Sequence, residues 1–432
     1  MKINIALLFL SVCLVTSLEA QTWSTVGTGV SFPGVEAFEE YNNELYVGGF
    51  FSQAGGIPAN GIARWNGTNW DSVGAVFGLN LIFSLKKFNG YLYEGGEFYT
   101  LSGAPGNCIA RWNGSAWNSA GSGMNNHVWS LEDYNGELYA GGDFDSADGS
   151  AVNFIARWNG TTWSQAGSGM NQGAVRELLV FNGELYAGGD FTMAGGVPAS
   201  RIAKWNGTNW ASVGSGTNGW VSALAIFNNE LYAGGQFDTA GGVAAKNIAK
   251  WNGSSWAPLG NGISGPVLGL KVYNGELYAG GYFVTAGDSV ANNVARWDGN
   301  NWKTLGSGTN VWVNNFGVYN GELYAGGRFD TAGGIPASRI ARWSTPSGIE
   351  TNPEDNSFSF FPNPVSSQLN FSFPKTGNTF LTIKNTLGET ILIKPVTEKT
   401  FSVDVKAFPA GIYFITVTDG TKEPVTKKLI KL

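Results

Sequence analysis

The sequence predicts an all-β chain: a seven-bladed β-propeller with four-stranded blades, its ring closed by the N-terminal strand, plus a small C-terminal β-sandwich. Three observations carry this. The motif Leu-Tyr-x-Gly-Gly occurs seven times, with tyrosines at Tyr46, Tyr93, Tyr139, Tyr186, Tyr232, Tyr278 and Tyr324, 46 or 47 residues apart. Tryptophan pairs five residues apart recur with it at 65/70, 112/117, 158/163, 205/210, 251/256 and 297/302. Composition agrees: 63 Gly and 14% aromatic residues against 13% charged suit an all-β repeat protein.

A single repeat divides into four short strands. In the fourth, Val175 to Phe181 is bulky and β-prone, and Asn182-Gly183 supplies a tight hairpin turn. Glu184 to Gly188 forms strand two, and a Gly-rich loop leads to strand three, Ile202 to Trp205. A second Asn-Gly turn then precedes strand four, Trp210 to Val213. Such a unit cannot bury both faces alone, so stacking around a ring is expected, with the Trp pairs wedged between blades.

Ring closure is written in the ends of the repeat. The seventh unit leaves the pattern at Ser344, after Ile340-Ala341-Arg342-Trp343, without its fourth strand. The missing piece, Trp-x-x-Val-Gly, stands at the other end as Trp23 to Gly27, so the N-terminal strand should complete the last blade and remove the open edge.

The predicted domains are a signal peptide at 1–20, the propeller at 21–346, a polar linker at 347–356 and the sandwich at 357–432. Lys2, the apolar run Ile5 to Val15, and Ala20 before Gln21 make the signal, too short to span a bilayer, and no later stretch qualifies as transmembrane. Without that segment one cysteine remains, Cys108, so no intramolecular disulfide can form. A single histidine, His127, removes most histidine-based metal sites and catalytic dyads. Net charge of −6 lacks the basic footprint of nucleic-acid binding. No cofactor is expected, and a monomer is.

Two resemblances follow from the quoted residues. The Gly-Gly pair ending strand two and the aromatic pair around the next turn, as in Leu231-Tyr232-Ala233-Gly234-Gly235 and Trp251 to Trp256, resemble kelch propellers of the galactose-oxidase type over residues 21–343. The C-terminal segment resembles the sorting domain of type IX secretion cargo. It carries Phe361-Pro362-Asn363-Pro364, Leu387-Gly388, Pro409-Ala410-Gly411-Ile412-Tyr413 and the basic strand Lys427-Lys428-Leu429-Ile430 in order. That resemblance implies a type IX machinery partner and passage through the periplasm to the outer-membrane surface or medium of a Gram-negative bacterium.

Most positions repeat too faithfully to be a site. The Arg or Lys before each first Trp (Arg64 to Arg342) and the hairpin glutamates (Glu44 to Glu322) read as structural. Variation concentrates where the chain enters strand one. Twelve residues before each repeat tyrosine stand Gly34, Leu81, His127, Ala174, Trp220, Pro266 and Trp312; ten before stand Glu36, Phe83, Trp129, Arg176, Ser222, Leu268 and Asn314. Alternation along a strand would put both sets on one aspect near the channel mouth. His127, Trp129, Arg176, Trp220, Trp312, Phe83, Glu36 and Asn314 are therefore the candidate ligand-binding residues, suited to a glycan or an extracellular protein. No catalytic residue or metal ligand is assigned; Asp143, Asp145 and Asp148 lack EF-hand spacing. The alternative is a carbohydrate-active enzyme using channel carboxylates among Glu36, Glu39, Glu132 and Glu177.

Overall fold

A computed structural model describes residues 22–74, 80–98, 100–101, 104–105, 107–344, 358–361, 365, 367–373, 379–386, 388–418 and 425–431. The expected signal peptide, the linker, Pro362-Asn363-Pro364 and Leu387 lie outside the described residues. Contacts divide the chain into one unit at Gln21–Thr345 and another containing Pro346–Leu432.

The first unit contains seven four-stranded antiparallel sheets among its described residues. Each is a blade. The fourth comprises Val175–Phe181, Glu184–Gly189, Ile202–Trp205 and Trp210–Ser212, in sequence order across the sheet. First strands of successive blades are neighbours, and Val313–Tyr319 of the last returns to Gly34–Tyr41 of the first. The seventh sheet ends on the N-terminal strand Thr22–Thr25, where Trp23 lies opposite Trp343.

Hydrogen bonds explain why the second Trp of each pair recurs. Its indole N–H donates to a backbone carbonyl of the preceding blade at all seven positions. Trp70 bonds Val26, Trp117 bonds Val73, Trp163 bonds Ala120 and Trp210 bonds Ala166. Trp256 bonds Val213, Trp302 bonds Leu259, and Trp23 bonds Leu305. A buried donor needs a partner, and this one ties blade to blade. The Gly-Gly pair answers two close approaches. A Cβ on Gly188 would stand 2.7 Å from a Val221 methyl of the next blade, and one on Gly189 would stand 2.0 Å from the Ala174 carbonyl. Asn182 and Gly183 both have positive φ, as the tight turn requires.

The repeated charges are paired. Arg64 bonds Glu44 at 3.0 Å, Arg157 bonds Glu137 at 3.1 Å, Lys204 bonds Glu184 at 2.8 Å and Arg342 bonds Glu322 at 3.1 Å. In the second blade Tyr91 replaces the glutamate, and Arg111 sits 4.8 Å over its ring instead. Two features depart from the sequence reading. The Gly-rich loop after strand two holds a small two-stranded hairpin, such as Met193–Ala194 with Val197–Pro198. Strand one is also not regular: a β-bulge interrupts it in every blade, between Val175 and Glu177 in the fourth.

The second unit pairs a three-stranded sheet, Ser359–Phe361, Gln368–Ser372 and Thr400–Asp404, with a four-stranded one. The latter orders Thr390–Pro395, Phe380–Asn385, Gly411–Thr418 and Val425–Lys431. Leu369, Phe371, Leu381, Ile383, Ile415 and Leu429 form its common core. Ser359–Phe361 is an edge strand of the three-stranded sheet.

Candidate functional site: the rim of the propeller and its channel

The residues ten before each tyrosine are the bulge residues themselves: Glu36, Trp129, Arg176 and Asn314 each fall within the register shift of their blade. A bulge inserts one unpaired residue and re-aims its side chain. The sequence carries a trace of it, because Val175, Leu178 and Phe181 are buried at a spacing of three rather than two.

On one sector of the rim these side chains form a continuous ladder across blades. Phe83 stacks on Trp129 with ring centres 4.1 Å apart, and His127 meets both edge-on at 5.9 and 5.7 Å. The Arg176 guanidinium lies 5.8 Å from the Trp129 ring centre and 5.4 Å from that of Trp220. All five side chains are half-buried. Trp312 belongs to a second group, 5.6 Å from Tyr282 and 5.2 Å under Arg328. Glu36 and Asn314 are not in the ladder and lie beside the second group, where Glu36 feels Arg328. Asn314 is buried and donates to the Val35 carbonyl. Burial pushes the Glu36 carboxyl up to about 7 against the opposing pull of Arg328 and Asn314.

A third set of rim residues escaped the sequence reading, which placed the variation where the chain enters strand one. The residue directly after the pair varies: Phe50, Glu97, Asp143, Asp190, Gln236, Tyr282 and Arg328. Its amide bonds the carbonyl of the residue twelve before the tyrosine, as Asp143 does to His127 and Tyr282 to Pro266, which places it on the same rim. Asp143 accepts the Trp129 indole N–H at 2.8 Å and lies 3.3 Å from His127 Nδ1, while Glu97 lies 3.2 Å from His127 Nε2. Asp190 receives Arg176 at 2.8 and 2.9 Å. These carboxylates fix the rotamers that expose the ladder. Asp145 and Asp148 go elsewhere, to Asn125 and to the Ser122 and Trp163 amides.

Inside the ring lies a cavity of 510 Å³ lined by the first strands, Phe83 and Trp129 included. It gathers Glu39, Lys86, Glu132, Glu177 and Lys271, whereas Glu36, expected among them, does not line it. Lys86 holds both Glu132 oxygens at 2.8 Å. Burial first, and then the Glu132 charge, raise the Glu177 carboxyl to about 8 despite Lys86 and Lys271. Burial also raises Glu39 and Glu132.

Comparisons agree with both halves of this architecture. Residues 359–432 match the family described as secretion system C-terminal sorting domain, and residues 168–312 match the Rax2 C-terminal β-propeller domain. Comparison with curated protein sequences returns no match. Among solved structures the extracellular domain of a one-component system from B. thetaiotaomicron superposes with a TM-score of 0.50 at 11% identity. The alignment covers 95% of this chain and 59% of that one, so the chain spans under two thirds of its length. A computationally designed protein, Ika8, gives 0.46 at 12% identity, covering 94% and 98%. PorZ, a surface component of the Porphyromonas gingivalis type IX secretion system, gives 0.39 at 13% identity, covering 92% and 65%. The sorting domain places the protein in the type IX route, secreted or on the cell surface. The chain is thus an all-β propeller carrying a type IX C-terminal sorting domain.

Proposed function

We propose that the propeller is a non-catalytic recognition module for a glycan or an extracellular protein. Its export runs through the periplasm of a Gram-negative cell, and the sorting domain engages the type IX machinery. The observation that carries this reading is the rim ladder of Phe83, Trp129, Arg176 and Trp220. Trp129 held by Asp143 and Arg176 held by Asp190 are preorganised, so binding loses little side-chain entropy. The kelch-like blade pattern adds only a fold-level analogy. On a broad glycan array and in pull-downs, the full chain should bind, and the combined Trp129→Ala, Trp220→Ala, Trp312→Ala variant should lose at least tenfold in affinity while staying folded. Undiminished binding by the folded triple variant removes the rim from the reading.

One observation supports a second reading, a carbohydrate-active enzyme. Glu177, raised to about 8, keeps its proton at neutral pH beside Glu132, which is paired to Lys86. Two carboxyls whose environments separate them are what acid–base cleavage of a glycoside needs. That reading expects polysaccharide turnover that disappears in Glu177→Gln. A wild-type chain without turnover on any bound glycan removes it.

A further inference from the structure

We propose that the cleft between the fifth and sixth blades is a subsite for a neutral sugar ring, an inference that rests on the recognition reading and names its ligand class. The cleft measures 450 Å³, and its lining includes Asn218, Gly219, Trp220, Gln236, Asp238 and Pro266. That volume falls within the roughly 300–1,000 Å³ of small-ligand sites.

The repeat shows why a cleft opens here. In the third and fourth blades the bulge residues Trp129 and Arg176 are large and tied to Asp143 and Asp190. In the fifth the bulge residue is Ser222, whose hydroxyl turns to the Val267 carbonyl of the next blade at 2.6 Å. The walls are backbone on both sides. A Cβ on Gly219 would stand 1.9 Å from the Gln236 carbonyl, and one on Gly265 would stand 2.2 Å from that of Tyr282.

The donor set selects the ligand. Arg176 covers Trp220 from the fourth-blade side, and the cleft lies toward the sixth, which leaves an indole face for the C–H face of a pyranose. The two other aspartates at this position are occupied: Asp145 accepts Asn125 at 2.7 Å and Asp330 holds Arg339 at 2.9 Å. Among the described residues the side chains of Asp238 and Gln236 have no such partner, and both are exposed. Asn218 spends its carbonyl oxygen on the Asp238 and Thr239 amides, keeping its NH₂ as a donor. A carboxylate, two amides and one aromatic plane match vicinal hydroxyls over an apolar sugar face. Among the described residues that line the cleft there is no Lys or Arg, so an anionic sugar would meet Asp238 without a counter-charge.

The test uses the full chain on an array of neutral and anionic oligosaccharides, with Trp220→Ala, Asp238→Asn and Trp129→Ala beside it. The proposal expects neutral glycans to bind and both Trp220→Ala and Asp238→Asn to lose at least tenfold, with Trp129→Ala, on the far side of Arg176 from the cleft, losing less than either. Because Asp238 is exposed, its variant keeps the fold, which circular dichroism and thermal melting verify. Glycan binding that survives both cleft variants and vanishes in Trp129→Ala overturns the cleft and keeps the recognition reading. Selective binding of anionic glycans overturns the ligand class. A wild-type chain that binds no glycan overturns both the cleft and the glycan arm of the reading.

Discussion

Replacing Trp163 with alanine is expected to destabilise the propeller by about 3–5 kcal/mol, the range for losing a fully buried Trp. Trp163 is 4% exposed, packs against Trp158 with ring centres 5.2 Å apart, and sits in a core shared by the second and third blades. Its loss also strands the Ala120 carbonyl, which now accepts the indole N–H at 2.9 Å. A domain's whole stability is on the order of 5–15 kcal/mol, so the change is a large share of it. Trp23→Ala should cost as much, since Trp23 makes the same bond to Leu305 and the same contact, at 5.1 Å, with Trp343. Trp220→Ala, half-buried on the rim, supplies the control and should cost far less. Denaturant unfolding would measure all three. A near-neutral Trp23→Ala would mean that the N-terminal strand does not close the ring, and equal costs for Trp163 and Trp220 would contradict the division between core and rim.

How far this molecule was legible follows from which physics repeats. The Leu-Tyr-x-Gly-Gly motif and the Trp pairs each answer a demand met seven times, a close approach at Gly188 and Gly189 and an indole bond across blades, and the split last blade answers the one edge to be closed. Sevenfold demand leaves sevenfold sequence. The bulge was harder, because its signature is a spacing of three at Val175, Leu178 and Phe181 inside a strand where two is expected. The row after Gly-Gly was missed for the opposite reason. Asp190, Tyr282 and Arg328 share a backbone hydrogen bond but no side-chain chemistry, so nothing in the period marks them as one row. The site was half visible. Phe83, His127, Trp129, Arg176 and Trp220 do meet on the rim, while Glu36, Asn314 and Trp312 fall outside that ladder, around Arg328.

Glu94 is where the repeat is broken at a cost, and removing it should stabilise the protein. Its counterparts in the other six blades are Val47, Ala140, Ala187, Ala233, Ala279 and Ala325, all 0% exposed members of the cores between blades. Glu94 is equally buried, lies opposite Leu85 and Ala110, and has neither carboxyl oxygen hydrogen-bonded among the described residues. Burial pushes its carboxyl well above the usual range. The folded state therefore holds a proton that the unfolded state releases. Stability from this group is fully present below the unfolded pKa of about 4.3 and declines as pH rises, by roughly 1.4 kcal/mol per pH unit until the folded pKa is reached. Glu177 and Glu36, raised to about 8 and about 7, add slopes of the same sign, so the test is a difference between variants. Glu94→Leu, which removes an unsatisfied buried polar group, should gain about 1–3 kcal/mol at pH 5 and more at pH 8. Glu94→Gln cannot ionise, and its stability relative to wild type should improve as pH rises from 5, until the folded-state pKa is reached. Denaturation midpoints across that range decide it. Parallel pH curves for Glu94→Gln and wild type would mean that the carboxyl finds a partner or reaches water, and that the second blade carries no buried acid.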